Sequence, residues 1–291
     1  MKDKNLIGHI FAIITIIIWG TTYISTKVLL VDFQPVEILF FRFIMGFVIL
    51  FIAYPKLLKR TSLKQELLFA LAGLCGICLY YLLENIALTY TSASNVGVII
   101  CVAPFFTAII SHIFMKDKEK FRTVFFIGFI VAMIGICFMS YSGSKLELNP
   151  FGDFLALLAA LVWACYSVVT KKISSLGYNT ILTTRRTFFY GILFMIPALF
   201  VFDFKIELVR FDNPVYLLNI LYLGLGASAL CFVTWNYAVK VLGAIKTSIY
   251  IYMVPVITVV TSILILNEQI TILSVIGILF TLVGLIVSQK K

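Results

Sequence analysis

Apolar stretches of roughly 17 to 25 residues, the length that carries a helix across about 30 Å of hydrocarbon, follow one another from end to end of the chain with only short polar breaks. Within hydrocarbon every backbone N–H and C=O must be satisfied by the protein itself, so each stretch is constrained to be a helix. The runs 8–30, 37–54, 67–90, 96–115, 123–142, 152–171, 180–202, 214–239, 247–266 and 272–289 make ten of them. The expected fold is an all-α integral membrane protein with ten transmembrane helices. Of the 291 residues, 62% are hydrophobic and 12% charged, a composition that leaves no soluble domain over. Lys2 and Lys4 precede the first stretch as in a signal peptide. Its apolar part is too long for one and has no small-x-small cleavage site, so it is expected to be retained.

A net charge of +10 would suit nucleic acid if it were gathered on one surface. Topology accounts for it instead. With the N-terminus in the cytoplasm, 16 Lys and Arg fall on cytoplasmic segments, among them Lys56, Lys64, Lys116, Lys118, Lys120, Arg122, Lys171, Lys172, Lys240 and Lys246; only Lys145, Lys205 and Arg210 fall outside. This is a positive-inside distribution. A multi-pass protein of the cytoplasmic membrane with both termini inside is expected, its macromolecular environment the lipid bilayer and no nucleic acid, as a monomer or weak homo-oligomer.

The chain carries a duplication. Shifted by 144 residues, Gly8, Ala12, Trp19, Thr26, Lys27 and Arg42 fall on Gly152, Ala156, Trp163, Thr170, Lys171 and Arg186. Shifted by 151, Gly73, Asn85, Ala87, Pro104, Thr107 and Asp117 fall on Gly224, Asn236, Ala238, Pro255, Thr258 and Glu268. A shift of 149 sets Gly128 and Gly135 on Gly277 and Gly284. The two units are 1–143 and 144–291. Five spans in each is an odd number, so the second unit enters the membrane from the opposite side. Inverted repeats of this kind recur in secondary transporters, where exchange of conformations between halves opens one site to either side in turn.

Three passages carry a resemblance to a known family: WGTTYISTK at 19–27, ENIALTYTSASNVGVI from 84 with Pro104 after it, and NYAVKVLGAIKTSIYIYMVPVITVV from 236 with LNEQI following. Over nearly its whole length the chain resembles the EamA branch of the drug/metabolite transporter superfamily. The resemblance implies a basket of ten helices around a central cavity, moving small metabolites. Such repeats carry a glutamate after the fourth span; here the segment reads KDKEK, and Asp117 or Glu119 would fill that place.

Ionisable groups in hydrocarbon are the local pointers to function, because each costs a few kcal/mol on insertion scales unless it meets water or a partner. Glu84 is the carboxylate farthest from a loop. Three readings are open for it: a structural hydrogen bond to a neighbouring helix, binding of a substrate amine, and coupling to a proton. Tyr81, Glu84 and Asn85 share one helical face. Trp235 and Asn236 stand at the repeat-equivalent of Glu84 and Asn85, and both asparagines are also suited to bridging helices. Arg42 is a candidate for a substrate carboxylate; Arg185 and Arg186 are close enough to a helix start to snorkel to the cytoplasmic surface. Trp19, Tyr23 and Lys27 form an i, i+4, i+8 stripe, repeated by Trp163 and Lys171 with Tyr166 nearby. They suit cavity lining by aromatic faces beside cations or membership of the interfacial belts. Pro104 and Pro255 interrupt the fourth and ninth spans at matching positions, as hinges or as static bends.

Catalytic and cofactor chemistry find no support. Six cysteines all lie in apolar stretches, and the C-x-x-C of Cys75 and Cys78 has no second pair and no nearby histidine, so helix packing is expected rather than metal or redox chemistry. His9 and His112 are isolated, and there is no Walker A motif and no nucleophile with its base. No cofactor and no enzyme activity are expected. The leading expectation is a secondary transporter, an exporter of small organic metabolites such as amino acids by alternating access, with a coupled proton as an option. A passive channel or facilitator for small solutes, or a membrane sensor, is the alternative.

Overall fold

A computed structural model describes residues 2–58, 61–91, 93–115, 123–143, 149–202, 204–266 and 271–289. Seven helices are long and apolar enough to cross a membrane: α1 (Asp3–Leu29), α2 (Pro35–Ala53), α3 (Leu63–Tyr90), α4 (Asn95–Phe114), α6 (Pro150–Ser174), α7 (Thr180–Val201) and α8 (Pro214–Leu242). Three shorter apolar helices are α5 (Thr123–Phe138), α9 (Ala244–Thr258) and α10 (Val275–Ser288). The described residues contain no strand. Asp117, Glu119 and Glu268, and the lysines of the KDKEK segment, lie outside the described residues.

Local chemistry sets the helix starts. Pro35, Pro150 and Pro214 occupy first-turn positions, where a missing N–H costs nothing. Asn149, Asn179 and Asn213 each cap a free N–H of the helix that follows, at 2.9 to 3.1 Å. Between α8 and α9 the chain turns on Gly243 at φ 95°, a left-handed conformation that a side chain would strain.

Lipid-facing and core-facing sides of a helix are both apolar here, so polarity does not separate them; size and spacing do. On α1, Ala12 and Ile16 are buried, while Ile10, Ile13 and Ile17 face outward at helical spacing. Glycines mark the closest approaches. Helices α5 and α10 run antiparallel, with Gly128 against Gly284 and Ser288, and Gly135 against Gly277 and Thr281. Helix α1 runs antiparallel to α8, joined by Thr15 Oγ1 to Thr234 Oγ1 at 2.7 Å, and α3 runs antiparallel to α6, with Gly152 against Tyr90.

Two of the long helices contain wider π-helical turns, Leu74–Leu79 in α3 and Tyr222–Leu230 in α8. The shift of 151 lays the first on the end of the second. A glycine at each meets a helix of the other half: Gly73, the residue before the first turn, packs on Gly191 and Thr187 of α7, and Gly224, inside the second, packs on Met45 of α2. Such turns disrupt the regular hydrogen-bond ladder and recur at functional sites.

Pro104 and Pro255 do not stand in the middle of continuous α-helices. Helix α4 breaks at Cys101–Val102, whose N–H groups bond to Val98 and Ile99 in 3₁₀ fashion, and Pro104 stands in the first turn of the renewed helix. In α9 a 3₁₀ turn, Ile249–Tyr252, precedes Pro255 in the same way. Pro104 and Pro255 thus each restart a helix in a position where proline is tolerated.

Candidate functional site

The two breaks border a small cavity built on Glu84. Glu84 lies on α3 in the turn after Leu74–Leu79 and is 5% exposed. Tyr80, one turn earlier, donates its hydroxyl to Glu84 Oε1 at 3.1 Å. Around them the cavity is lined by Ile16, Trp19, Thr22 and Tyr23 of α1, Tyr81 of α3, Ile100 at the α4 break, Trp163 of α6, and Ile251 and Val254 at the α9 break. About 20 Å³ of free space remains, on the order of one water molecule.

Trp19 and Trp163, and Ile100 and Ile251, are pairs related by the duplication. The lining is nevertheless lopsided: Thr22, Tyr23, Tyr80, Tyr81 and Glu84 come from the first half, and the second contributes Trp163, Ile251 and Val254. Where the first half carries Glu84, the second carries Trp235, wholly buried and 5.1 Å from the Trp19 ring.

The resemblance implies a central cavity; here aromatic side chains fill most of the centre. Trp163 packs on Trp19, Tyr80 and Tyr166 with centroids 4.8 to 5.1 Å apart. Phe232 touches Phe43, Phe188, Tyr81 and both cavity tryptophans. Stacks of this kind add about 0.5–1.5 kcal/mol per pair beyond area burial, and they leave no room for a metabolite in this conformation.

Of the residues singled out from sequence, the structure brings Trp19, Tyr23, Tyr81, Glu84 and Trp163 to one cavity. Six others stand apart. Arg42 is 1% exposed and not in the lining: its Nε donates to Ser228 Oγ at 3.0 Å, its guanidinium lies 4.2 Å from the Tyr81 ring centroid, and its Nη2 finds no acceptor among the described residues. Asn85 donates to the Pro35 carbonyl at 3.1 Å, tying α3 to the start of α2. Tyr166 donates to Asn236 Oδ1 at 2.6 Å and Asn236 Nδ2 to Thr184 at 2.9 Å, tying α6, α7 and α8 together. Lys27 is half-buried one turn beyond Tyr23, outside the lining. Trp235 is packing for the cavity's tryptophans.

Tyr80 and Thr22 escaped the sequence reading, although Tyr80 stands four residues before Glu84 and so on the same helical face. Ile100 and Ile251 carried a fainter signal, four residues before Pro104 and Pro255. Asn236 also lines a second, threonine-rich pocket with Thr170, Thr183, Thr187, Tyr178 and Lys240. It opens toward the face that holds the N-terminus.

Ion pairs stand at both faces. At the face away from the N-terminus, Arg210 forks onto Glu37 at 2.9 and 3.1 Å, and Glu37 also accepts from the backbone N–H groups of Gln34 and Lys205. Those bonds hold the Arg210 guanidinium above its already high ordinary range. At the N-terminal face Arg186 pairs with Glu66 at 2.8 Å, and Tyr190 donates to the same carboxylate. Arg185 donates to the carbonyls of Tyr54 and Lys56. Both arginines end on protein groups.

The sequence model of the EamA-like transporter family matches the chain in two segments, residues 6–141 and 150–289. An uncharacterized transporter of Archaeoglobus fulgidus is 26% identical over 287 residues, with 97% of each chain covered. One of Clostridium kluyveri is 29% identical, with 98% of this chain and 93% of its own covered. A Streptantibioticus cattleyicolor protein named "Probable terminal-alkyne amino-acid exporter" is 24% identical, with 96% and 92% covered. A solved crystal structure superposes over 99% of this chain and 97% of its own with a TM-score of 0.75 at 17% identity, which shows a shared fold.

Proposed function

Because this multi-pass chain belongs to the EamA-like transporter family, we propose that it is a secondary carrier, exporting small organic metabolites by alternating access across the cytoplasmic membrane. The observation that carries the reading is the Glu84 cavity, enclosed between side chains of both halves and bordered by two helix breaks. Discontinuous helices at the junction of two repeats are where transporters of this construction bind their cargo. With space on the order of one water, the site is closed, and loading it requires the aromatic plug to part. Pro104 and Pro255, each just after a break, are the hinge positions.

The same reading takes the ten apolar helices as ten spans, in two inverted five-helix units, with both termini cytoplasmic. It is supported by the antiparallel seam of α5 with α10, by π-helical turns at corresponding places, and by the two segments of the family match. Amino acids are the first substrates to test, on the name of the Streptantibioticus relative and on the chemistry of Glu84. A buried carboxylate with tyrosine hydroxyls beside it suits an ammonium group, and the indole faces suit an apolar or aromatic body.

Counterflow tests the mechanism. Purified protein in proteoliposomes loaded with an unlabelled amino acid is expected to accumulate the labelled one above its outside concentration, and Glu84→Ala to abolish the effect. Flux that rises linearly with concentration, with no accumulation, would establish a channel instead.

A further inference from the structure

A groove of about 210 Å³ lies far from Glu84, where the end of α2 and the following loop meet the start of α7. Phe51, Leu57, Leu58 and Phe189 are among its walls, and Arg185 and Arg186 line it too. The two guanidiniums differ in how their charge is met. Arg186 is paired with Glu66 at 2.8 Å. Arg185 lies 4.8 Å from the Phe51 ring centroid and donates to the carbonyls of Tyr54 and Lys56; among the described residues no carboxylate pairs with it. Carbonyl dipoles orient that cation without cancelling its charge.

The duplicated fold does not by itself make such a groove. Shifting Arg185 back by 144 residues reaches Phe41, which packs on Phe204 and Phe211 with centroids 6.0 and 5.2 Å away. An uncompensated cation in an apolar groove at the boundary of a membrane helix faces the headgroup layer on one side and acyl chains on the other. The loop beside it carries Lys56, and this face holds the chain's basic segments, so the leaflet it meets is the cytoplasmic one.

We propose that this groove binds an anionic phospholipid of the cytoplasmic leaflet, with Arg185 holding the phosphate and the Phe51 and Phe189 side of the groove holding the acyl chain. Native mass spectrometry of the purified full chain, with phosphatidylglycerol or phosphatidylcholine of equal acyl length, tests it. Phosphatidylglycerol is expected to be retained in preference, and Arg185→Gln to weaken its binding roughly fivefold, the effect of one cation near a membrane surface. Because Arg185 also ties down residues 54 and 56, a second variant avoids that role: Leu57→Asp, at a residue 74% exposed, sets a carboxylate beside the groove and should weaken binding to a similar degree. Equal retention of the two lipids, or unchanged phosphatidylglycerol affinity in both variants, would overturn the proposal. Displacement of the lipid by millimolar inorganic phosphate would overturn it in favour of a free-anion site.

Discussion

Trp19 and Trp163, equivalent positions of the two halves, meet edge to face with ring centroids 5.1 Å apart, yet only one has a hydrogen-bond acceptor. Trp19 Nε1 donates to the Ala227 carbonyl at 2.9 Å, inside the π-helical turn of α8. Trp163 Nε1 is buried with no acceptor among the described residues. Its counterpart carbonyl would be that of Gly76, where the Tyr166 ring packs against the backbone.

Replacing each tryptophan by phenylalanine removes the same ring volume, so the difference between the two variants isolates the hydrogen bond. Trp19→Phe is expected to be less stable than Trp163→Phe by about 1 kcal/mol, read from unfolding in detergent. Equal losses would mean that the Trp19 bond contributes nothing.

Glu84→Gln keeps the shape of the carboxylate and removes its proton exchange. If Glu84 carries a coupled proton, this variant should retain counterflow in proteoliposomes while losing its response to an imposed pH gradient. A response equal to that of the parent protein removes the proton from the mechanism and leaves Glu84 as a binding group.

Gly135→Ala puts a Cβ within about 2.6 Å of Gly277 O and Thr281 N, backbone atoms that cannot rotate away. Overpacking of this kind costs about 1–3 kcal/mol, and the melting temperature in detergent should fall accordingly. Gly226→Ala, where the nearest neighbour is the Tyr222 ring at 3.6 Å, serves as the control and should be nearly silent.

The two ion pairs differ in burial. Glu37 and Arg210 have side chains 2% and 15% exposed, against 18% and 39% for Glu66 and Arg186. Arg210→Ala strands a buried carboxylate and is expected to cost roughly 2 kcal/mol or more. Arg186→Ala should cost under about 1 kcal/mol. A reversed order in thermal melts would show that burial does not govern these contacts.

Pro104→Ala combined with Pro255→Ala restores two backbone N–H groups without altering the breaks that precede them. A hinge role predicts slower exchange with substrate affinity preserved, measured as counterflow rate against half-saturation. An unaltered rate assigns the bends to static shaping.

Much of this architecture is legible in the chain because hydrocarbon thickness dictates span length and because Trp19 and Trp163 stand in matching sequence. Cavity residues were legible where one helix carries the pattern, as with Tyr81 and Glu84, or where the duplication repeats it, as with Trp19 and Trp163. Arg42 is a candidate for a substrate carboxylate because a lone arginine in a span looks unpartnered. Its partners, Ser228 and the Tyr81 face, come from packing between distant segments that no spacing rule reports. Asn236 likewise meets Tyr166 across 70 residues. Proline marked both interrupted helices but not the place of interruption, because the break falls in the turn before the ring, where the hydrogen bonds change from α to 3₁₀.

The seam between α5 and α10 has a consequence for ancestry and for chemistry. Gly128 meets Gly284 while Gly135 meets Gly277, so each position touches the partner of the other, as in a two-fold interface between identical subunits. A homodimer of five-helix units held by such a seam would be bound by symmetry to place the same side chain on both sides of its axis. Within one chain the matching positions are free to differ, and they do: position 84 is an acid, Glu84, where its counterpart 235 is an indole, Trp235.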